Sequence, residues 1–257
     1  MVSTIDALLK SLSVDAPVAQ VLVGAFWTAV VLDAAPPRCG LASTLHGGHQ
    51  EHHLSGPPLP EAGDLLARGG RELAEWLRSE SVLEASIGMA AFNALLALRP
   101  ELVEGWDVSE INAEDVILER GRGRKVAVVG HFPFVERVRQ AAGECWVLEL
   151  APRPGDVPAE RAAELLPQAE VVAMTGTSLI NHTFDDLIAL CRPDAFVLLL
   201  GASAPLTPVL FDVGVSAISG TRVIDPQAVL RLVGQGATFR QIKRGGGLRL
   251  LTMMHGR

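Results

Sequence analysis

Tyrosine is absent from this 257-residue chain, and cysteine is scarce. The three cysteines, Cys39, Cys145 and Cys191, lie far apart and form no Cys-x-x-Cys pair. So sparse and odd a set offers no disulfide framework and is typical of free core thiols in a reducing compartment. The segment 1–13 has the pattern of an amphipathic helix and lacks the basic leader and long apolar stretch of an export signal. We therefore expect a cytoplasmic protein.

An excess of positive charge is also lacking. Lys and Arg number 22 against 29 Asp and Glu, which gives a formal net charge of −7. No basic patch offsets this charge, so a nucleic-acid partner is not expected. The most apolar regions, 18–32 and 195–218, are interrupted by polar residues, glycine or proline. Neither region is expected to span a membrane.

Common catalytic signatures are missing as well. The chain has no Gly-x-Ser-x-Gly elbow, so serine hydrolase chemistry has little support. It has no phosphate-binding P-loop, so ATP hydrolysis is not expected. The absence of Gly-x-Gly-x-x-Gly counts against a nicotinamide dehydrogenase, and a methyltransferase would rest on fold analogy alone.

Buried-type strands that alternate with helix-like segments dominate the second half of the chain. The run 126–129 ends at Gly130, and the runs 170–177 and 195–203 end in threonine or serine. Another apolar run ends at Glu149. This rhythm predicts a parallel sheet with a binding crevice at the carboxyl ends of its strands.

The character of the chain changes near residue 121, where GRGRK has the composition of a linker. We predict a small α+β domain over 1–121 and an α/β domain over 122–257. In the first domain we expect a hairpin over 18–32, a strand over 41–45 and helices over 70–79, 83–98 and 112–118. In the second domain we expect helices over 133–142, 158–165, 183–190 and 226–233, and further strands over 217–219 and 248–253.

The first candidate site follows the run 126–129. Gly130 permits a tight turn and close approach of a ligand, and the helix expected after Pro133 offers backbone N–H groups to an anion. Glu149 follows Gly130 by about 20 residues, the spacing at which an acidic residue of a dinucleotide-binding unit contacts a ribose hydroxyl. A solvated carboxylate at a strand end is an equal alternative for Glu149.

Two further candidate sites follow the later strands. The segment TGTSLINHT, 175–183, carries five short polar residues, whereas a helix cap needs only one. We therefore favour a ligand site there. In the segment 201–215, Ser203 and Thr207 alternate with prolines that would stiffen the wall of a pocket. A purely structural loop is the alternative for this last segment.

Histidines supply the remaining candidates. Four of them lie in one glycine-flanked segment: His46, His49, His52 and His53. Imidazoles at this spacing can converge on one metal ion, and an adventitious surface cluster is an equal alternative. His131 and His182 each follow a predicted strand, where either could transfer protons, although a histidine more often packs with a hydrogen bond.

Four segments together resemble the heavy-metal chelation family: SIGMAAFNALL (86–96), GHFPF (130–134), TGTSLINHTFDDLIAL (175–190) and LGASAPLTPVLFDVGVSAISGTRVID (200–225). The resemblance implies an enolase N-terminal-like domain followed by a Rossmann-like domain. It also implies a cleft between the two domains, for condensation or hydrolysis of a pterin, a flavin or a siderophore-like molecule.

Carried onto this sequence, the resemblance implies a cleft lined by residues of the strand-end turns and of the Ala-rich helix: Asn93, Gly130, His131, Phe132, Thr175, Gly176, Thr177, Asn181, Gly201, Ser203, Pro205 and Leu206. A buried amide bonded to backbone is an equal alternative for Asn93.

Two functions remain open. The first is an enzyme acting on a small polar heterocycle, with His131, Asn181 and His182 as candidate catalytic residues. The second is a non-catalytic binder of a metal or metal complex, which would make a transition metal the candidate cofactor. The apolar helix 83–98 could be a core helix or the face of a homodimer.

Overall fold

The structure of the protein is a computed structural model that describes residues 2–47, 57, 59–103 and 106–254. Of the predicted metal ligands, His49, His52 and His53 lie outside the described residues. The chain has a two-domain α/β fold built around two sheets, a three-stranded antiparallel sheet and an eight-stranded, mostly parallel sheet. This architecture confirms the predicted fold class.

The small sheet is an antiparallel meander in the order β1-β2-β3. It is made of β1 (Val18–Val23), β2 (Trp27–Leu32) and β3 (Arg38–Ser43). The expected hairpin over 18–32 is therefore present. The third strand begins at Arg38, before the predicted position, and pairs with the whole of β2.

The helices of the N-terminal part cover this sheet and reach towards the large one. They are α1 (Thr4–Ser11), α2 (Gly70–Ala74), which continues as a 3-10 turn over Glu75–Arg78, and α3 (Val82–Leu96). The hydroxyl of Ser81 accepts from the N–H of Glu84 and so begins α3. Most side chains of α3 are buried, so the apolar helix is a core helix.

Small residues on α3 allow two backbones to approach it closely. A methyl group on Gly40 of β3 would collide with the carbonyl oxygen of Ala90 on α3. A methyl group on Gly88 would collide with the backbone nitrogen of Leu77. These contacts require glycine at both positions, because neither has room for a Cβ atom.

The large sheet has the order β4-β11-β10-β9-β8-β5-β6-β7. From β10 to β7 every neighbouring pair is parallel, whereas β11 is antiparallel to both β10 and β4. Its strands are β4 (Asp107–Ser109), β5 (Lys125–Val129), β6 (Glu144–Glu149), β7 (Val157–Pro158), β8 (Val171–Thr175), β9 (Phe196–Leu200), β10 (Ala217–Val223) and β11 (Leu248–Met254).

The six parallel strands follow the order of a Rossmann-type sheet. If these strands are numbered 1 to 6 along the chain from β5, their spatial order is 3-2-1-4-5-6. The strand order therefore reverses between β5 and β8, which are strands 1 and 4. In open sheets of this kind, ligands bind outside the carboxyl ends of the two strands at the reversal. The fold therefore points to the turns after β5 and β8.

Helices cover both faces of the large sheet. They are α4 (Ala113–Gly121), α5 (Val135–Ala141), α6 (Ala162–Leu165), α7 (Phe184–Leu190), α8 (Pro226–Gly234) and α9 (Phe239–Arg244). Two of these helices begin at a side-chain cap: the side chain of Asn112 accepts from Glu114 N–H, and that of Asp225 accepts from Ala228 N–H. Helices α5 and α6 begin later than predicted, and α6 follows a 3-10 turn over Ala159–Arg161.

Three hydrophobic clusters connect these layers. One runs from α3, including Phe92, to the face of the large sheet that carries Met174. A second packs α4 and α5 on the opposite face of that sheet. A third joins β2 and β3 to α8 and α9, with Val31 and Ile242 among its members. The third cluster holds α9 beside the small sheet, close to the carboxyl edge of the large one.

Residues 107–121 lie with the large sheet, since β4 pairs with β11 and α4 packs beside β8 and β9. The predicted domain division at residue 121/122 places these residues before the linker, and that division stays a prediction. Within the described residues, the helices are all too short or too polar to cross a bilayer.

Candidate functional site

Glycines shape the turns at the reversal point of the large sheet. Gly130 and Gly201 have φ angles of 100° and 113°, in the left-handed region where glycine is favoured. Gly176 has a different role: a Cβ atom there would lie 2.5 Å from the backbone nitrogen of Ala204. The turn after β8 therefore packs directly against the turn after β9.

Two cavities open at these strand ends. The larger, of about 650 Å³, is called the aromatic cavity and is lined by Trp27, Phe132, Phe134 and Phe239 among others. The smaller, of about 510 Å³, is called the histidine cavity and is lined by His131 among others. Phe132, Thr175 and Thr177 line both cavities. The strand-end residues predicted to line one pocket therefore lie around two adjoining cavities that share a wall, and the site itself stays a prediction.

The predicted site residues divide between the two cavities. The aromatic cavity receives Gly176, Gly201 and Ser203 in addition to the shared wall. The histidine cavity receives Gly130, His131, Glu149 and Asn181.

His131 is held by a buried carboxylate. Its Nδ1 lies 2.9 Å from Oδ2 of Asp156, whose side chain is fully shielded from solvent. Asp156 also accepts hydrogen bonds from Arg139 at 3.1 Å and from the backbone N–H of Arg153 at 3.2 Å. An ionised carboxylate can only accept a hydrogen bond, so Nδ1 of His131 carries the imidazole proton and donates a hydrogen bond to Asp156. Nε2 of the neutral ring is left as a hydrogen-bond acceptor.

The electrostatics of Asp156 suit this role. Burial by itself raises the pKa of the carboxyl, but the hydrogen bonds from His131 and from Arg153 N–H, with the charges of His131 and Arg139, lower it below its ordinary value. Asp156 is therefore ionised at neutral pH and fixes the tautomer and orientation of the His131 ring.

Hydroxyl groups of the turn after β8 form hydrogen bonds within the turn itself. Oγ1 of Thr175 lies 2.9 Å from Oγ1 of Thr177, and the hydroxyl of Ser178 donates to Thr175 O at 2.7 Å. The side-chain amide of Asn181 lies 2.8 Å from the hydroxyl of Thr183. This network fixes the turn, and it leaves Thr175 and Thr177 on the wall that the two cavities share.

A hydrogen-bonded tie joins the two sheets beside the aromatic cavity. The buried hydroxyl of Ser203 accepts from the backbone N–H of Ser43 at 2.9 Å and donates to the Ser43 hydroxyl at 3.2 Å. Ser203 thereby fixes the end of β3 against the turn after β9. This contact positions Trp27 of the small sheet on the cavity wall.

Four of the predicted catalytic and ligand-binding residues line neither cavity. Nδ2 of Asn93 donates to the carbonyl of Leu41 at 3.0 Å, so Asn93 is the backbone-bonded amide that was its alternative. His182 has a φ of 61°, and its Nε2 bonds to Leu77 O at 2.9 Å beside a separate cavity of about 290 Å³. Pro205 and Leu206 do not belong to the lining of either strand-end cavity.

Metal-binding side chains do not converge in the described part of the chain. No three His, Cys, Asp or Glu side chains there are placed to hold one ion. His46 is exposed, and its Nε2 lies 3.3 Å from Ala25 O. Burial raises the pKa of Cys39 to about 12 and, as the largest effect, that of Cys145 and Cys191 to about 11, which disfavours thiolate ligands.

Several residues of the site and of its support gave no clear signal in the sequence. Asp156 lies 25 positions after its partner His131, in the loop between β6 and β7. Its only hint is the turn sequence PGD before a short strand. Trp27, Phe239 and the basic residues of α9 reach the site from distant parts of the chain, and only the packing of α9 against β2 brings them there.

Both halves of the chain match described families. Residues 112–252 match the family DUF364 and residues 5–96 match the family DUF4213, and both carry the description "Putative heavy-metal chelation". An uncharacterized protein of Methanocaldococcus jannaschii is 27% identical over 158 residues, which are 59% of this chain. The chain spans 60% of the length of that relative.

Two solved structures of DUF364 proteins share the fold. A protein of unknown function from Desulfitobacterium hafniense superposes with a TM-score of 0.77 at 24% identity, over 97% of each chain. A protein of unknown function from Pyrococcus horikoshii gives 0.80 at 18% identity, over 98% of this chain and 100% of the other. The match to DUF364 covers more than half of the sequence, and the chain therefore belongs to the heavy-metal chelation family.

Proposed function

We propose that this protein binds a small, flat, polar molecule of the pterin, flavin or siderophore type across the two strand-end cavities and promotes its condensation or hydrolysis. One observation carries the proposal: His131, oriented by Asp156, lines a cavity at the reversal point of the sheet. This is the place where sheets of this topology bind ligands.

Proton transfer is assigned to His131. Its Nδ1 faces the ionised Asp156, so Nε2 is the nitrogen free to take a proton from a bound molecule and to return it. The charge of Asp156 stabilises the imidazolium that forms in between. General acid–base catalysis of this kind contributes about 10²–10⁴-fold to a rate.

Ligand orientation is assigned to the polar groups around His131. Thr177 and Asn181 belong to the turn after β8, and Glu149 lies at the end of β6, where a carboxylate can accept a hydrogen bond from a ligand N–H or O–H. His182 takes no part in this proposal, because it lies beside a different cavity.

Calorimetric titration with pterin, riboflavin and 2,3-dihydroxybenzoate tests the proposal. We expect one of these probes to bind the wild type and to bind His131→Ala and Asn181→Ala about ten-fold more weakly, which corresponds to about 1.4 kcal/mol. His182→Asn is the matched control, since asparagine tolerates the positive φ at this position. Equal affinity in all four proteins would mean that the site is misplaced.

A metal or metal complex is the second candidate, favoured by the family description and by the spacing of His46, His49, His52 and His53. Titration with zinc, nickel, cobalt and molybdate above the imidazole pKa of about 6.5 tests it. Binding that is no tighter in the wild type than in a variant with all four histidines changed to alanine would remove this candidate.

A further inference from the structure

The two strand-end cavities carry opposite charges. Three basic residues, Arg137, Arg240 and Lys243, line the aromatic cavity, against a single acidic one, Glu114. The histidine cavity has the reverse composition, with three carboxylates and neither lysine nor arginine among its described lining residues. These carboxylates belong to Glu149, Glu160 and Asp186. A positively lined cavity is unexpected in a chain whose formal net charge is −7.

Two of the cations are not neutralised by a neighbour. Arg137 pairs with Glu114, whereas Arg240 and Lys243 form no ion pair within the described ranges of the chain. They lie three positions apart on α9, so their side chains occupy the same face of that helix. The aromatic cavity thus presents two unpaired cations on one wall.

Aromatic rings supply flat surfaces in the same cavity. Phe132 and Phe134 are stacked, with ring centroids 5.2 Å apart and planes 5° apart. Trp27 and Phe239 form a second pair, also with centroids 5.2 Å apart but tilted by 45°. Such rings bind planar groups by offset stacking or edge contact.

A buried donor on the cavity wall lacks a partner. Nε1 of Trp27 is shielded from solvent and has no hydrogen-bond acceptor in the part of the chain that the structure describes. A buried N–H left unpaired is destabilising, so a ligand acceptor that reached this atom would be favoured. Unpaired cations, flat rings and an unpaired donor together fit a planar group with an anionic oxygen.

We infer that the ligand of the proposed function is bipolar. Its planar aromatic end carries an anionic group, a carboxylate or an ionised hydroxyl, and lies in the aromatic cavity, where Arg240 and Lys243 determine specificity. Its other end passes the shared wall of Phe132, Thr175 and Thr177 and presents hydrogen-bond donors to the carboxylates of the histidine cavity. The inference rests on the proposed function and adds the charge and direction of the ligand.

Paired probes that differ by one carboxylate group test this direction. Pterin-6-carboxylate and pterin share one ring system, and fluorescence titration gives the affinity of each at low and at moderate salt. We expect the carboxylate to bind the wild type about ten-fold more tightly, and we expect salt to weaken its binding because Arg240 and Lys243 are exposed to solvent.

Two double variants of equal charge identify the residues. Arg240→Gln with Lys243→Gln should reduce the affinity for pterin-6-carboxylate about ten-fold and leave that for pterin unchanged. Arg231→Gln with Arg244→Gln removes the same charge from α8 and α9 at positions that line neither cavity, and should change both affinities by less than about two-fold. Circular dichroism confirms the fold of each variant.

The possible outcomes separate the two proposals. Suppose that the wild type and both double variants bind the two pterins with equal affinity, and that Asn181→Ala loses the binding of both. This result overturns the bipolar ligand and keeps the proposed function. The protein could instead bind riboflavin or 2,3-dihydroxybenzoate and neither pterin, with an affinity that substitution of Arg240 and Lys243 does not change. That result also overturns the bipolar ligand and keeps the proposed function. Failure of every probe to bind the wild type overturns both proposals.

Discussion

The aromatic cavity and the histidine cavity differ although the same strand ends form both. The aromatic cavity lies between the two sheets, because Trp27 and Ser43 reach it from the small sheet and α9 closes one side. The histidine cavity is built within the large sheet and its helices, and its key side chain, His131, is fixed by the neighbouring loop. Under the proposed function, the inter-sheet contact supplies ligand selection, whereas the parallel sheet supplies the reactive group.

The largest loss of stability should come from a change at Gly176, which lines the aromatic cavity and not the histidine cavity. Gly176→Ala forces a methyl group against the backbone of Ala204, so the turns after β8 and β9 must separate. We expect the free energy of unfolding to fall by about 1–3 kcal/mol in urea titrations. Gly234→Ala is the control, since only Leu22 at an ordinary 3.5 Å faces its new methyl group. Equal stability of the two variants would contradict the packing described here.

Asp156→Asn should show the importance of the carboxylate that holds His131. The side chain loses its charge-assisted bonds to His131 and Arg139, and we expect a loss of about 1–3 kcal/mol at pH 7. Because folding lowers the pKa of Asp156, its contribution is present above the unfolded pKa of about 3.9 and is lost as pH falls through the lower folded pKa.

Unfolding experiments from pH 7 to below pH 4 measure this dependence. The stability gap between wild type and Asp156→Asn should narrow towards low pH. Asp194→Asn serves as the control, since Asp194 pairs with Arg192 at an exposed position where solvent screens the interaction. A gap that stays constant with pH would mean that Asp156 is not ionised in the folded protein.

Phenylalanine variants should separate the shared wall from the aromatic cavity. Phe132→Leu removes a ring that lines both cavities, whereas Phe134→Leu removes one that lines the aromatic cavity alone. Loss of stacking should weaken the binding of a planar probe by about 0.5–1.5 kcal/mol in either variant. Only Phe132→Leu should also change the affinity for a ligand that is confined to the histidine cavity. Identical profiles of the two variants in calorimetry would contradict the division into two cavities.

The smallest effect on probe affinity should come from changes to the cysteines, which line neither cavity. With thiol pKa values of about 11, Cys145 and Cys191 should react with iodoacetamide at pH 8 about 100-fold more slowly than in the unfolded chain. Their serine variants should keep probe affinity within about two-fold. Rapid labelling of the folded protein, or loss of binding in either variant, would assign the thiols a role that their burial disfavours.

The sequence was informative where chain-local signals decide the structure. Apolar runs followed by glycine or hydroxyl residues predicted β5, β8 and β9, and the convergence of parallel strands predicted that Gly130 and Thr175 would meet. Strands β4 and β7 escaped prediction because two or three residues are too short to show a period. Helix α9, with only six residues, escaped for the same reason.

The site itself was only partly predictable. A residue next to a strand end takes its position from the strand, so His131 could be placed from sequence. The contacts of Asp156, of Trp27 and of Arg240 arise from packing between segments distant in the chain, and no local pattern encodes them. His182 shows the converse: it follows a strand end, yet a hydrogen bond to Leu77 holds it away from both cavities.

The pairing of β4 with β11 has a consequence for how the chain can be divided. A fragment that begins at residue 112, where the DUF364 match starts, would lack β4 and leave the outer edge of β11 unpaired. Open strand edges recruit other chains, so such a fragment should aggregate where the intact protein does not. The borders of sequence similarity are therefore not the borders at which this protein can be cut.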